Sequence, residues 1–420
     1  MRFIGLDVHR DFAEVAVLEP GHPVRSWGRV VARPAELRAF AATLRADDVV
    51  ALEATINTWA IARLLGEHAG RVVISNPYRT RAIAEAKIKT DRVDAAVLAQ
   101  LLAADYLPAV WEPDERTQAL RRLVGRRARL VQQRTRLRNQ VHAVLHRNLI
   151  GGAPVTDIFG VRGQAWLRSL LLPADERAAI ESALRLLEAL EAELEAANGE
   201  LARIGRPDPQ VAHLLTIPGV DAAVALGVLA TIGDVGRFST PAQFVSYLGL
   251  DPRVRQSGNQ PAHAGPISKQ GRAHARGLLT EAAWAAAKYP GPLRAFYERV
   301  RARRGPQIAA VATARKLAVL VWYLLSRDED YAWAGASLTA TKLRRLELAA
   351  GAPSRRGGRR TWAASSATIR AQERAVAAGA EEQYRRFVSA WQVRPRRERD
   401  VGAAIGERLC GAMAPAARQG

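Results

Sequence analysis

The chain has 420 residues, 48% of them apolar and 25% charged, with a formal net charge of +21 at pH 7. That length allows two or three domains with cores of their own, and that apolar content excludes disorder as the default. The single cysteine, Cys410, excludes a disulfide framework or a thiolate zinc site within one chain, and the surplus of arginine makes a polyanion, nucleic acid above all, the expected partner.

No apolar run reaches the ~18 residues of a membrane span. The opening stretch "MRFIGLDVHRDFAEVAVL" lacks the long apolar segment of a secretory signal. A soluble, cytoplasmic protein with no membrane partner is expected.

In chain order, "FIGLDV" (3–8) and "AEVAVL" (13–18) read as strands around a polar turn, with "SWGRVVA" (26–32) as a third. Helix "PAELRAFAATLR" (34–45), strand "VVALEAT" (49–55), helix "TWAIARLLGEHAG" (58–70) and strand "RVVISNP" (71–77) follow, and "KIKTDRVDAAVLAQLL" carries a helix over 90–104. A three-stranded meander followed by alternating helices and strands predicts an α/β domain, a mixed five-stranded sheet of ribonuclease H-like order flanked by helices.

The acids of this region stand at element ends. Asp7 ends the first strand, Glu53 the fourth, and Asp91 and Asp94 open the last helix, on a stripe shared with Leu98 and Leu101. The plain structural reading makes Asp91 an N-cap, Asp94 its first-turn partner and Glu53 a cap for the helix after it. The chemical reading brings all four together. Two carboxylates ~4 Å apart repel by about 4 kcal/mol at an effective dielectric near 20, so such a cluster requires protonation or a cation. Mg²⁺, hard and oxygen-seeking, is the expected ion, with Mn²⁺ as its substitute.

From Arg116 to Arg147 there are ten arginines and no acid, with Leu123, Leu130, Leu137 and Val144 at intervals of seven. A second helix over 175–204 repeats Ile180, Leu187, Leu194 and Leu201 and carries eight acids. The pair predicts a charge-complementary helical hairpin or coiled coil. Arg121, Arg122, Arg126 and Arg129 are also candidates for tracking a nucleic-acid backbone. His142 and His146 have the spacing of zinc ligands but no accompanying glutamate, and read as helix surface.

Beyond "GRPDP" (205–209), a mainly helical domain is expected. "LLTIPGVDAAVALGVLATIG" (214–233) is similar to a helix-hairpin-helix, with Asp221 where the second glycine usually stands. After the helix "STPAQFVSYLGL" comes a polar loop, 251–271, in which Ser257 lies near Arg253, Arg255, Lys269 and Arg272. A serine before glycine is usually a turn, whereas a serine among cations can be a nucleophile toward phosphate. Helices over 273–289 and 307–325 complete the domain. In the basic extension beyond 335, "SRRGGRR" (354–360) reads as flexible and phosphate-seeking and 368–391 as helical. The expected divisions are 1–112, 113–205, 206–330 and 331–420.

The words "GLDVHRDFAEVAV", "ALEAT", "KTDRVDAAVLA", "LLTIPGV", "RFSTPAQFVSYLGLDP" and "QSGN…ISKQGRAHAR" together resemble the DEDD transposases of the IS110 family, the RNA-guided bridge recombinases, over roughly residues 2 to 325. The resemblance implies a RuvC-like domain whose Asp7, Glu53, Asp91 and Asp94 hold Mg²⁺. It implies that Ser257 attacks DNA phosphate to form a phosphoserine link, with the acids and the serine coming from different subunits of a dimer that assembles to a tetramer. It implies donor and target DNA as substrates and a structured non-coding RNA as guide. Ile56 stands where family members commonly have glycine. Two other readings compete, a RuvC-like nuclease or junction resolvase that uses water, and a nucleic-acid-binding protein without catalysis.

Overall fold

The computed structural model describes residues 1–84, 90–258, 262–354 and 359–393, with the side chains of 264, 359–366 and 391–393 outside that description. Cys410 and positions 355–358 of the basic run lie outside the described residues. The chain divides into two compact units, Met1–Pro113 and Asp114–Gly420.

The first unit contains β1 (Phe3–Val8), β2 (Phe12–Leu18), β3 (Arg25–Val31), α1 (Pro34–Ala41), β4 (Val49–Glu53), α2 (Thr58–Gly66), β5 (Arg71–Ser75), α3 (Pro77–Ile83) and α4 (Asp91–Ala103). Its sheet has the order β3-β2-β1-β4-β5, antiparallel across β3, β2 and β1 and parallel across β1, β4 and β5. Strand side chains alternate between faces, and both faces are covered. Ile4, Leu6, Val8, Val50, Leu52 and Ile74 pack on one side with Leu37 and Phe40 of α1 and Ile61 and Leu65 of α2. On the other side Ala51 and Val73 pack with Leu98 and Leu102 of α4.

Two features set where α4 lies. Its buried stripe is Ala95, Leu98, Ala99 and Leu102, so Leu102 rather than the expected Leu101 completes it. Gly5 permits close approach, since a Cβ there would stand 2.1 Å from the Ala95 carbonyl oxygen and 2.7 Å from the Ala99 nitrogen. Residues 107–110 then cover the outer edge of β5, through Asn76 N to Pro108 O at 2.9 Å and Val110 N to Ile74 O at 2.7 Å.

The second unit contains α5 (Glu115–Arg147), α6 (Val161–Ser169), α7 (Ala174–Gly205), α8 (Pro209–Leu215), α9 (Ala222–Ile232), α10 (Pro241–Tyr247), β6 (Pro252–Arg255), β7 (His263–Ile267), α11 (Ala273–Ala286), α12 (Pro292–Arg304), α13 (Pro306–Arg327), α14 (Ala336–Ala349) and α15 (Arg359–Val393). α5 and α7 form the expected hairpin. Leu123 and Val144 of the one and Ile180, Leu187, Leu194 and Leu201 of the other are buried. Charge complementarity holds it as well: Arg126 reaches Glu193 at 2.6 Å, Arg138 reaches Glu191 at 3.0 Å, and Arg147 donates to both carboxylate oxygens of Glu176 at 3.0 and 2.8 Å. The main core gathers α8 to α11 and α13 around Phe244, Leu214, Ile217 and Leu226. α13 is long and apolar enough to cross a membrane by length and composition. Its Ala314, Leu317, Ala318 and Val321 belong to that core.

The expected polar loop 251–271 is instead a short β-hairpin, β6 against β7, with the register Val254↔Ala264 and Arg255↔His263. Pro252, Gly265 and Pro266 disguise the strands because proline and glycine ordinarily weaken a strand reading. The extension is docked through α14 and α15. Buried Glu381 accepts from Gly291 N at 3.0 Å and from Arg294 Nε at 2.9 Å, while Lys342 Nζ donates to the carbonyls of Leu215 at 2.8 Å and Ile217 at 2.6 Å.

Candidate active site

Asp7 occupies the end of β1 on the face that α4 covers, since it shares the strand alternation of Gly5. In the parallel register Leu6 lies beside Leu52, so the next residues along, Asp7 and Glu53, stand side by side on that face. Thr90 caps α4, its hydroxyl accepting from Val93 N at 3.3 Å. Asp91 is therefore not the N-cap that the plain reading expected. Thr90 fills that role and leaves both first-turn carboxylates available for other contacts. Glu53 does not cap α2 either, whose N-cap position is Asn57. Ile56, at the position noted for glycine, is wholly exposed.

His9 joins the two elements. Its Nε2 lies 3.1 Å from Asp7 Oδ2 and 3.4 Å from Asp91 Oδ1. Among the described residues, Asp7, His9 and Asp91 bring three metal-capable atoms within 4.8 Å of one another. Burial holds the Asp7 carboxyl above its usual range; His9 opposes that rise, and the charges of Asp94 and Asp91 add to it. Asp94 thus acts on Asp7 through charge, while Asp7, His9 and Asp91 make the close group. A half-buried carboxylate pressed by two others fits a cation, and oxygen donors with one imidazole suit a divalent metal.

Two nearby residues escaped the reading of the acids. His9 follows Asp7 by two positions, the strand period, and that spacing was the available signal. Glu14 lies directly across from Asp7 in the β1–β2 register and is buried, with Oε2 accepting from Arg29 Nε at 3.0 Å. An acid within an apolar strand was its signal.

In the second unit, Ser257 is exposed beyond the end of β6, with Arg253 and Arg255 exposed on the strand itself. Lys269 and Arg272 follow β7 and stand at the other end of the hairpin from Ser257, so the sequence cluster is not one spatial cluster. Arg253 Nη2 donates to Ser268 O at 3.2 Å, and Ser268 Oγ to Asp251 Oδ1 at 2.6 Å, which pins the hairpin base. Of the α5 candidates, Arg122 and Arg129 are exposed, Arg126 pairs with Glu193, and Arg121 is turned inward onto carbonyls of α9. Asp221 caps α9, accepting from Val224 N at 2.8 Å, so a carboxylate already serves the helix end that a phosphate reading would use. His142 and His146 are exposed.

Residues 4–149 match the transposase family named for its DEDD residues and IS110, and residues 211–298 match the family described as Transposase IS116/IS110/IS902. A Sinorhizobium fredii chain bearing the transposase name y4qE is 32% identical over 291 residues, 67% of this chain and 71% of its own length. A family 20 transposase of Pseudomonas aeruginosa is 30% identical over 78% of this chain and 98% of its own length. The transposase for insertion sequence element IS1111A of Coxiella burnetii is 28% identical over 79% of this chain and 91% of its own length. With a mixed α/β unit presenting metal-capable acids, a helical second unit and these relatives, the chain belongs to the IS110 family of transposases and is a DNA transposase.

Proposed function

We propose that the protein breaks and rejoins the DNA strands of an insertion sequence, with Asp7, Glu53, Asp91 and Asp94 holding Mg²⁺, or Mn²⁺ in its place, in a RuvC-like unit and with Ser257 as nucleophile. The observation that carries this reading is the meeting of Asp7 and Asp91 around one point, with Asp94 close enough to press on Asp7 and Glu53 level with it on the next strand. When bound, the metal supplies charge stabilisation to a reacting phosphodiester. The protein's own part is to place the carboxylates through the β1, β4 and α4 ends, and to present an exposed hydroxyl on a pinned hairpin.

In the serine step the Oγ–phosphorus bond forms as one phosphorus–oxygen bond of the strand breaks. The serine proton is lost to solvent or base, and the departing strand hydroxyl takes one up. Attack by a strand hydroxyl on the phosphoserine reverses the exchange, so no external energy source is consumed. Exposed Arg122, Arg129, Arg253, Arg255, Lys269 and Arg272, on a chain of net charge +21, support donor and target DNA and a guide RNA as partners. In this reading the cytoplasmic protein works as a dimer that assembles to a tetramer and so brings the acids of one copy to the serine of another.

Strand cleavage with and without divalent metal, using Asp94→Asn, tests the acid site. Loss of cleavage in that variant and in chelator supports it, and full activity in either removes it. Sequencing RNA that co-purifies with the protein tests guidance; recombination with no RNA present would exclude it.

A further inference from the structure

His9 opens the short connection between β1 and β2, and two contacts fix its ring. Its backbone nitrogen donates to Phe12 O at 2.8 Å, which closes the turn. Its ring lies against the Phe12 ring, with centres 4.8 Å apart and planes 31° from parallel. Phe12 is in turn contacted by Arg29, whose guanidinium carbon is 4.2 Å from the ring centre, and Arg29 Nε donates to the buried carboxylate of Glu14 at 3.0 Å. So held, His9 Nε2 hydrogen-bonds Asp7 Oδ2 at 3.1 Å and stands 3.4 Å from Asp91 Oδ1.

The plain reading is a histidine paired with two carboxylates. One ring nitrogen offers one proton or one lone pair, however, and the hydrogen bond to Asp7 uses it. The approach of Asp91 to the same nitrogen is then left without a donor of its own. A shared cation accounts for both contacts, because neighbouring ligands of an octahedral ion with bonds of about 2.1 Å stand about 3 Å apart. The separations of 3.1 and 3.4 Å come close to that spacing, and the three donor atoms all lie within 4.8 Å of one another. The group is also open to an ion, since the His9 and Asp91 side chains are 41% and 40% exposed.

We infer that His9 Nε2 is a ligand of the metal held by Asp7 and Asp91, and that it turns an all-oxygen Mg²⁺ site into one that prefers transition ions such as Mn²⁺. Carboxylates serve both ions, whereas imidazole suits transition metals and Mg²⁺ keeps to oxygen. Phe12, Arg29 and Glu14 are positioning residues that hold the ring, as the outer partners of a metal-bound histidine do. The inference rests on the metal role of Asp7 and Asp91 in the proposed function, to which it adds a ligand and a preference among ions.

The test uses full-length protein with Mn²⁺ or Mg²⁺ as the probe and no DNA, so it reads binding rather than activity. Pulsed electron paramagnetic resonance of the Mn²⁺-loaded protein is expected to show coupling to an imidazole nitrogen, and His9→Ala is expected to lack it. Calorimetric titration is expected to show Mn²⁺ bound more tightly than Mg²⁺, with His9→Ala lowering Mn²⁺ affinity about tenfold or more and Mg²⁺ affinity about threefold or less. Melting in chelator checks that His9→Ala is folded. Were His9 only an ion-pair partner, its removal would free both carboxylates and leave Mn²⁺ affinity unchanged or raised. That result in folded His9→Ala, or no nitrogen coupling in the unaltered protein, would overturn the inference. Mn²⁺ binding that survives both Asp7→Asn and Asp91→Asn would instead overturn the acid site on which it rests.

Discussion

Gly5 of β1 and Ala95 of α4 meet so closely that a Cβ on the glycine would stand 2.1 Å from the alanine carbonyl oxygen. The obstacle is helix backbone, which cannot swing aside as a side chain can. Gly5→Ala is therefore expected to push α4 away, cost about 3 kcal/mol, and separate Asp91 from Asp7. Denaturant unfolding checks the stability, and divalent-metal binding checks the separation. A variant of unchanged stability and metal affinity would show that the contact does not set the site.

The place of His9 between Asp7 and Asp91, with Asp7 half-buried beside like charges, makes the fold carry an electrostatic cost when no cation is bound. Asp7→Asn is expected to raise the melting temperature in chelator. In the unaltered protein, metal at about a hundred times its dissociation constant should stabilise by about 2.7 kcal/mol. That gain should vanish in Asp7→Asn. Equal metal-induced shifts in the two proteins would contradict the assignment.

Thr90 and Asp91 are neighbours with separable duties. Thr90→Ala removes the cap of α4 and is expected to cost about 1 kcal/mol while sparing strand chemistry. Asp91→Asn keeps the cap and should leave stability within about 0.5 kcal/mol but abolish DNA cleavage. Unfolding curves beside cleavage rates check the pair, and a fully active Asp91→Asn would make the carboxylate a helix-end charge and no more.

Arg2 and Asp48 form a buried ion pair at 2.5 Å, and Asp48 also accepts from the backbone nitrogens of Arg2 at 3.1 Å and Arg45 at 2.7 Å. Burial pushes the Asp48 carboxyl up, but Arg2 and these donors outweigh it and hold it below its usual range. A carboxylate depressed in the folded state contributes stability that is complete above the unfolded value of about 3.9 and is lost as pH falls through the folded value. Asp48→Ala should cost roughly 3–5 kcal/mol at neutral pH, because it leaves Arg2 buried without its partner, and should flatten the acid limb of the stability profile. Unfolding at pH 7 and below pH 4 measures both.

The sheet strands were readable because apolar alternation and turn residues agree there, and α5 and α7 because a seven-residue repeat is hard to mistake. The hairpin of β6 and β7 was hidden by Pro252, Pro266 and Gly265, and α12 and α14 by the charged and polar residues that interrupt their apolar stripes. The ends that carry Asp7, Glu53, Asp91 and Asp94 followed from element order. The bridging of His9, the pairing of Glu14 with Arg29 and the inward turn of Arg121 did not, because each depends on a partner from another element whose distance only the folded chain sets. A one-residue difference, Leu102 for Leu101, shows the same limit: helical spacing gives a face, and packing against Ala51 and Val73 chooses its centre.

The central claim, a serine that becomes covalently joined to DNA under the control of clustered acids, is tested most directly by trapping protein–DNA adducts under denaturing conditions with Mg²⁺ and the cognate element DNA. The account predicts an adduct in the unaltered protein, its absence in Ser257→Ala and in Asp94→Asn, and its linkage at residue 257 by peptide mass analysis. Robust strand cleavage by Ser257→Ala, with no adduct in the unaltered protein, would contradict the serine mechanism and leave a water-using nuclease in its place.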